Sequence, residues 1–199
     1  MASHSHSIMA WFVDMDNNDY FLVKHALSIN LHPVENDTLP ADQLSFEAEI
    51  PGPFRMASDL AQADASILAP LKLNGEHTQA IWTYLQAQNQ KINTLLGYVL
   101  SQQDEPEFRK TTVQFSAGSV VIKKTDNWAI GDHARLKIFL PEESSAIYCY
   151  ANVSKVDEIE CVFTYTLIRE QDRELLIRAS LHVQSQQLKN RTKQRELNN

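Results

Sequence analysis

Gln114-Phe115-Ser116-Ala117-Gly118-Ser119-Val120-Val121-Ile122 reads as two short strands joined by a tight turn. Val113 and Phe115 lie two apart on one side, Val120 and Ile122 do so on the other, and the small residues from Ser116 to Ser119 supply the reversal. The period of two persists downstream. Gly131 ends a turn before Ala134, Leu136, Ile138 and Leu140, and Pro141 stops that strand. Two further runs follow: Ile147, Cys149, Ala151 and Val153, then Cys161, Phe163, Tyr165 and Leu167. Facing residues of an antiparallel hairpin have a constant number sum. Two odd-numbered inner faces therefore require an odd loop or a bulge, expected around Val156 to Glu158. A closing helix, about 170–195, opens with Glu170, Asp172 and Glu174 and presents Leu175, Leu176, Ala179, His182 and Val183 on one side.

Upstream of the hairpin the period changes. Within 76–103, Ile81, Leu85, Gln88, Ile92, Leu95 and Val99 follow one another at alternating spacings of four and three, the seam of a heptad helix. Trp82, Leu96 and Leu100 widen the stripe beyond what a two-stranded coil covers. That predicts either a higher-order bundle or a seam combined with packing on the chain's own strands. Gln88, in the middle of the seam, needs a polar partner, and its symmetry mate would fix register. Residues 54–69 form a second expected helix, with Leu60, Ala63, Ile67 and Leu68 on one side. Leu27, Ile29 and Leu31 alternate after Tyr20-Phe21-Leu22-Val23 and predict one or two strands ending at Pro33. Residues 1–19, with acidic and amide residues from Asp14 to Asp19, read as a mobile or weakly docked arm. The expected organisation is an arm (1–19), an N-terminal strand and helix segment (20–70) able to form a small β unit of its own, an oligomerisation helix (76–103), and a β-rich domain with its closing helix (104–199).

The net charge of −7 disfavours nucleic-acid polymers, because counterion release needs a basic surface. No signal segment and no long apolar run argue for a cytoplasmic chain with no membrane partner. Cys149 and Cys161 are expected as buried thiols. His25, His32, His77, His133 and His182 lack ligand spacing, so no metal is expected. No nucleophile elbow, phosphate loop, dinucleotide fingerprint or metalloprotease motif occurs, and Glu142-Glu143 and Asp157-Glu158 fall in turns. The sequence predicts no enzyme and no catalytic residue.

Roughly residues 90–190 resemble the PilZ family, and more closely its atypical, tetramer-forming branch with a heptad helix. The residues that carry this are Lys91 to Leu100, the Phe115-Ser116-Ala117-Gly118 hairpin, Gly131 ahead of Leu136-x-Ile138-x-Leu140-Pro141, Val162-Phe163, and Leu175-Leu176 in the last helix. The resemblance implies an α+β chain, mainly β: a six-stranded antiparallel barrel flanked by the long helix and the C-terminal helix. It also implies a bacterial protein of cyclic di-GMP signalling. Family members that bind this dinucleotide carry Asp/Asn-x-Ser-x-x-Gly in the hairpin and Arg-x-x-x-Arg just before the barrel. Guanidinium groups pair with phosphate and stack on guanine.

This chain departs from both motifs. The degenerate nucleotide motif consists of Arg109, Lys110, Gln114, Ser116, Gly118 and Ser119, and no arginine stands between Glu76 and Phe108. Ser119 at the family's glycine position is expected to be strained unless Gly118 takes over its role. Arg169 with Arg173, and Arg191 with Arg195, have the right spacing but lie after the barrel, where surface charge on a helix is the ordinary reading. The expectation is a regulatory or adaptor protein, a dimer or tetramer through the seam. Its barrel binds another protein, and no cofactor and no cyclic di-GMP in the usual mode. A receptor drawing arginines from Arg55, Arg109 or a neighbouring subunit, and a purely structural oligomer, are the alternatives.

Overall fold

The computed structural model describes residues 22–68, 76–125 and 127–197, with side chains for 22–61, 79–125 and 127–195. The expected arm, 1–19, and the side chains of Ala63, Ile67 and Leu68 lie outside the described residues. In chain order the elements are β1 (Val23–Lys24), β2 (Ser28–Val34), α1 (Gln43–Glu49), α2 (Gly52–Leu68), α3 (Glu76–Ser101), β3 (Arg109–Phe115), β4 (Ser119–Lys123), β5 (His133–Leu140), β6 (Ser145–Val156), β7 (Glu160–Leu167) and α4 (Glu170–Leu197).

Six strands close on themselves in the order β3-β2-β5-β6-β7-β4, all antiparallel, with the β3–β4 pairing completing the ring. Closure removes every free edge within the ring. β1 is the seventh strand and lies outside it. It pairs with the end of β3, Val23 opposite Phe115, on the edge that β2 uses further along. Thr112 fixes the kink between them. Its Oγ accepts from Leu27 N at 2.9 Å and donates to His25 O at 2.8 Å.

The N-terminal strand is therefore no separate unit. β2 sits between β3 and β5, so a boundary at residue 104 would cut through one barrel.

The inner face is close to the expected alternation. Ile29, Phe115, Val120, Leu136, Ile138, Ile147, Cys149, Val153 and Phe163 are buried in one cluster, which α4 closes with Leu175, Leu176, Ala179 and Val183. Both cysteines are buried and neither is in a disulfide, and burial pushes the Cys149 thiol well above its ordinary pKa.

The departures from alternation are bulges. Val113, expected to face inward, is the extra residue of a bulge in β3, so Thr112 and Phe115 face Ile122 and Val120 instead. The parity argument requires an extra residue between β6 and β7, and there is one. It is Ser154, inside the strand rather than at Val156 to Glu158, and beyond it the even-numbered Val156 packs against the core. A second shift, at Thr166, turns Leu167 away from the interior onto the outer cluster.

That outer cluster is the part of the core the alternation does not reveal. Ala146, Tyr148 and Tyr150, on the outside of β6, are covered by Phe46 and Ile50 at the end of α1, Phe54 and Ala57 of α2, and Leu96 and Leu100 of α3. Asp42 caps α1, its Oδ1 accepting from Ser45 N at 2.7 Å. On α2 the buried side is Phe54, Ala57 and Ser58, while Leu60, expected inward, is exposed. On α4, His182 stands at the flank rather than on the inner side, 3.2 Å from Glu143 Oε1.

Candidate functional site

The hairpin between β3 and β4 is closed by Ser116. Its N donates to Ser119 O at 2.8 Å, and its Oγ accepts from Gly118 N at 3.1 Å and from Ser119 N at 3.0 Å. The hydroxyl is thus engaged by its own turn. Tyr165 N donates to Gly118 O at 2.9 Å, and Arg173 Nη1 on α4 donates to Ala117 O at 2.8 Å, so strand and helix both hold the turn. The strain expected at Ser119 does not arise. Among the described residues only Gly131 and Ser144 have positive φ, so neither Gly118 nor Ser119 takes the left-handed conformation. Ser116→Ala is expected to cost about 1–2 kcal/mol in urea unfolding, because two backbone donors of a tight turn lose their shared acceptor.

The structure brings Ser116, Gly118 and Ser119 together and leaves Arg109 and Lys110 apart. These two begin β3, seven and six residues before Ser116, which is about 20 Å along an extended strand. Arg109 pairs with Asp104, and Lys110 Nζ lies 3.2 Å from Thr125 Oγ1. Gln114 is half-buried, opposite Lys24 on one side and Val121 on the other. The cation at the hairpin is Arg173, which the sequence reading places among surface helix charges. Its companion Arg169 is not on the surface either. It is buried, with Nε 2.9 Å from Asp172 Oδ2, and Asp172 also accepts from Ser58 Oγ of α2. Burial is the largest influence on the Asp172 carboxyl and raises its pKa, with Arg169 and Ser58 opposing. Arg-x-x-x-Arg with Asp172 inside it was the signal available in the sequence.

The second feature is α3. Leu96 and Leu100 turn onto the barrel, which divides the broad apolar stripe in two. The heptad side stays outward: Ile81 is 57% exposed, Leu85 43%, Ile92 48%, Leu95 67% and Val99 37%, with Gln88 half-buried between them. These side chains form an exposed apolar stripe along one face of the helix.

A polar clasp sets how α3 leaves the barrel. Asn30, fully buried on β2, donates from Nδ2 to Asp104 Oδ1 at 2.8 Å and Glu105 O at 3.0 Å, and accepts from Glu105 N at 3.0 Å. Lys137 of β5 donates to Gln103 O at 3.1 Å and pairs with Glu105. His32 Nε2 lies 2.8 Å from Glu105 Oε2, and its ring stacks on Phe108 at 3.7 Å.

Burial, then Arg135, holds the His32 pKa below its ordinary 6.5, and the Lys137 hydrogen bond holds Glu105 below 4.5. Both shifts have the same sign for stability. The unfolded chain takes up the His32 proton first as pH falls through 6.5, and the Glu105 proton as pH falls through 4.5. The urea midpoint is expected to fall from pH 7 to pH 5, and less steeply in His32→Gln.

Among the described residues no helix is long and apolar enough to cross a membrane, and no group of three or more His, Cys, Asp or Glu side chains is placed to hold a metal. No family model and no curated protein matches this chain.

Solved structures do match. One is a Xanthomonas campestris protein described as a tetrameric PilZ domain self-assembled via an unusual helical bundle. It is 15% identical, with 85% of this chain and 91% of that chain covered and a TM-score of 0.52. Another is the Bacillus subtilis inhibitor of motility, MotI/DgrA, at 16% identity and a TM-score of 0.43. The match covers 89% of this chain, which spans only 54% of that protein. A third, the PilZ domain of CeSA from a cellulose-synthesizing bacterium, is 14% identical over 38% of this chain and 78% of that one, with a TM-score of 0.31. At TM-scores below 0.5 the last two bear no weight. The Xanthomonas match spans far more of the chain than its strands alone, and at that identity it speaks for architecture: this chain has the PilZ-domain fold.

Proposed function

We propose that the chain is a non-catalytic regulatory or adaptor protein of bacterial cyclic di-GMP signalling. On this reading it assembles through α3 and does not hold the nucleotide in the family's usual mode. The observation that carries the reading is the outward seam of α3, five large apolar side chains left in water while the other side of the same helix is packed. The tetramer named for the Xanthomonas protein supports assembly through helices. Against nucleotide binding stand the distance of Arg109 from the hairpin, its pairing with Asp104, and the use of the Ser116 hydroxyl by its own turn. A dinucleotide there would meet a chain of charge −7 without the family's pair of leading arginines.

Arg173 favours a second reading, a receptor with a non-standard site, because it places a guanidinium on the hairpin from the opposite direction. Calorimetric titration with cyclic di-GMP separates the two. No binding at micromolar concentrations is expected. Micromolar binding that disappears in Arg173→Ala would establish the receptor and reject the first reading.

A further inference from the structure

A cavity of about 660 Å³ opens on the outside of the barrel, where β2, β5 and β6 run side by side next to the end of α1. Its size is that of a small-molecule site. It lies away from the hairpin: His32, on its wall, stacks on Phe108 just ahead of β3, whereas Ser116 follows the far end of that strand. Tyr148 and Tyr150 close the floor and are almost wholly covered. The groups open to the cavity are therefore polar, with Arg135 partly buried and Glu35, Thr38 and Glu49 exposed at the rim.

Arg135 is the direct cross-strand partner of His32 on one side and of Tyr150 on the other. His32 and Lys137 share Glu105, and no described carboxylate pairs with Arg135. Its Nε is buried without a hydrogen-bond partner among the described residues. A buried donor left unpaired is costly, and a guanidinium withdrawn from water gains most from an oxyanion that its planar fork can grip with parallel bonds.

Across the cavity the charge has the opposite sign. The Tyr150 hydroxyl donates to Glu49 Oε2 at 2.8 Å and holds that carboxylate at the rim, where Glu35 adds a second negative charge. A simple anion would meet one cation and two carboxylates, and a simple cation would meet the guanidinium. A molecule that carries both a carboxylate and an ammonium group satisfies the two sides together, and a free α-amino acid holds them on one carbon.

We propose that this cavity binds a free α-amino acid, with its carboxylate on Arg135 and its ammonium group on Glu49. The site involves neither the α3 seam nor the hairpin, so it stands or falls separately from the function proposed above.

The test is thermal unfolding of the full chain with each of the common L-amino acids in turn, alongside propionate, ethylamine and inorganic phosphate. At least one amino acid is expected to raise the Tm by about 3–6 °C at tenfold excess over its Kd, increasing with the logarithm of its concentration. Propionate, ethylamine and phosphate, each lacking one of the two charges, should produce no such shift. The shift should be lost in Arg135→Gln. It should also weaken at least several-fold in Glu49→Gln, which changes an exposed residue and keeps an acceptor for Tyr150, so the fold is retained. No shift with any amino acid, a shift that propionate, ethylamine or phosphate reproduces, or one that persists undiminished in either variant would overturn the proposal.

Discussion

Arg169→Ala is expected to destabilise the fold by about 3–5 kcal/mol, because it strands a buried carboxylate. Asp172 is fully buried, and Ser58 is the other described donor to it. For a chain of this length about 1 kcal/mol moves the melting temperature by 2–4 °C, so calorimetry should show a fall of roughly 6–20 °C. The deficit should shrink in acid, since a protonated Asp172 needs no counter-charge. Replacing both partners, Arg169→Met with Asp172→Leu, should cost far less than the single change, because neither charge is then desolvated. A double variant as unstable as the single would mean that the loss comes from packing between α2 and α4 rather than from the charge.

Ile92→Asp combined with Leu95→Asp is expected to leave the fold intact and abolish assembly. Both side chains are about half exposed or more in the single chain, so the substitutions remove little intramolecular packing, and surface changes of this kind stay within about 0.5 kcal/mol. In an assembly each buried side chain contributes about 1.5–3 kcal/mol, and every copy loses two of them and gains two like charges facing their mates. Sedimentation should report a monomer at all concentrations, with an unchanged circular dichroism spectrum. Any stability the parent gains from mass action should vanish with the oligomer, so its melting temperature should lose its dependence on concentration.

The strands were legible where one face meets the core and the other meets water. β5 and β7 carry their apolar residues two apart, and that pattern is enough to place them. Which strand lies beside which is a different matter. Nothing local in Ser28–Val34 says that β2 inserts between β3 and β5, because its partners, about 80 and 100 residues away, are chosen by barrel closure. The covering of β6 was written in the run from Ala146 to Ala151, apolar at every position and so buried on both faces, but reading only its odd positions conceals the helical layer.

The helix seam was legible as a heptad, and its division into a packed side and an outward side follows from where α2 and β6 stand, which no single-helix pattern contains. At the hairpin, Ser116 was identifiable from turn chemistry. The cation was not, because Arg173 arrives from an element 57 residues later, and helical spacing alone reads it as a solvated charge.

Sedimentation velocity of the unmodified chain, run with and without cyclic di-GMP, tests the central claim most directly. The account predicts one species larger than a monomer, unchanged by the dinucleotide. A monomer at every concentration, or a species that forms or dissolves only when the dinucleotide is added, would contradict it.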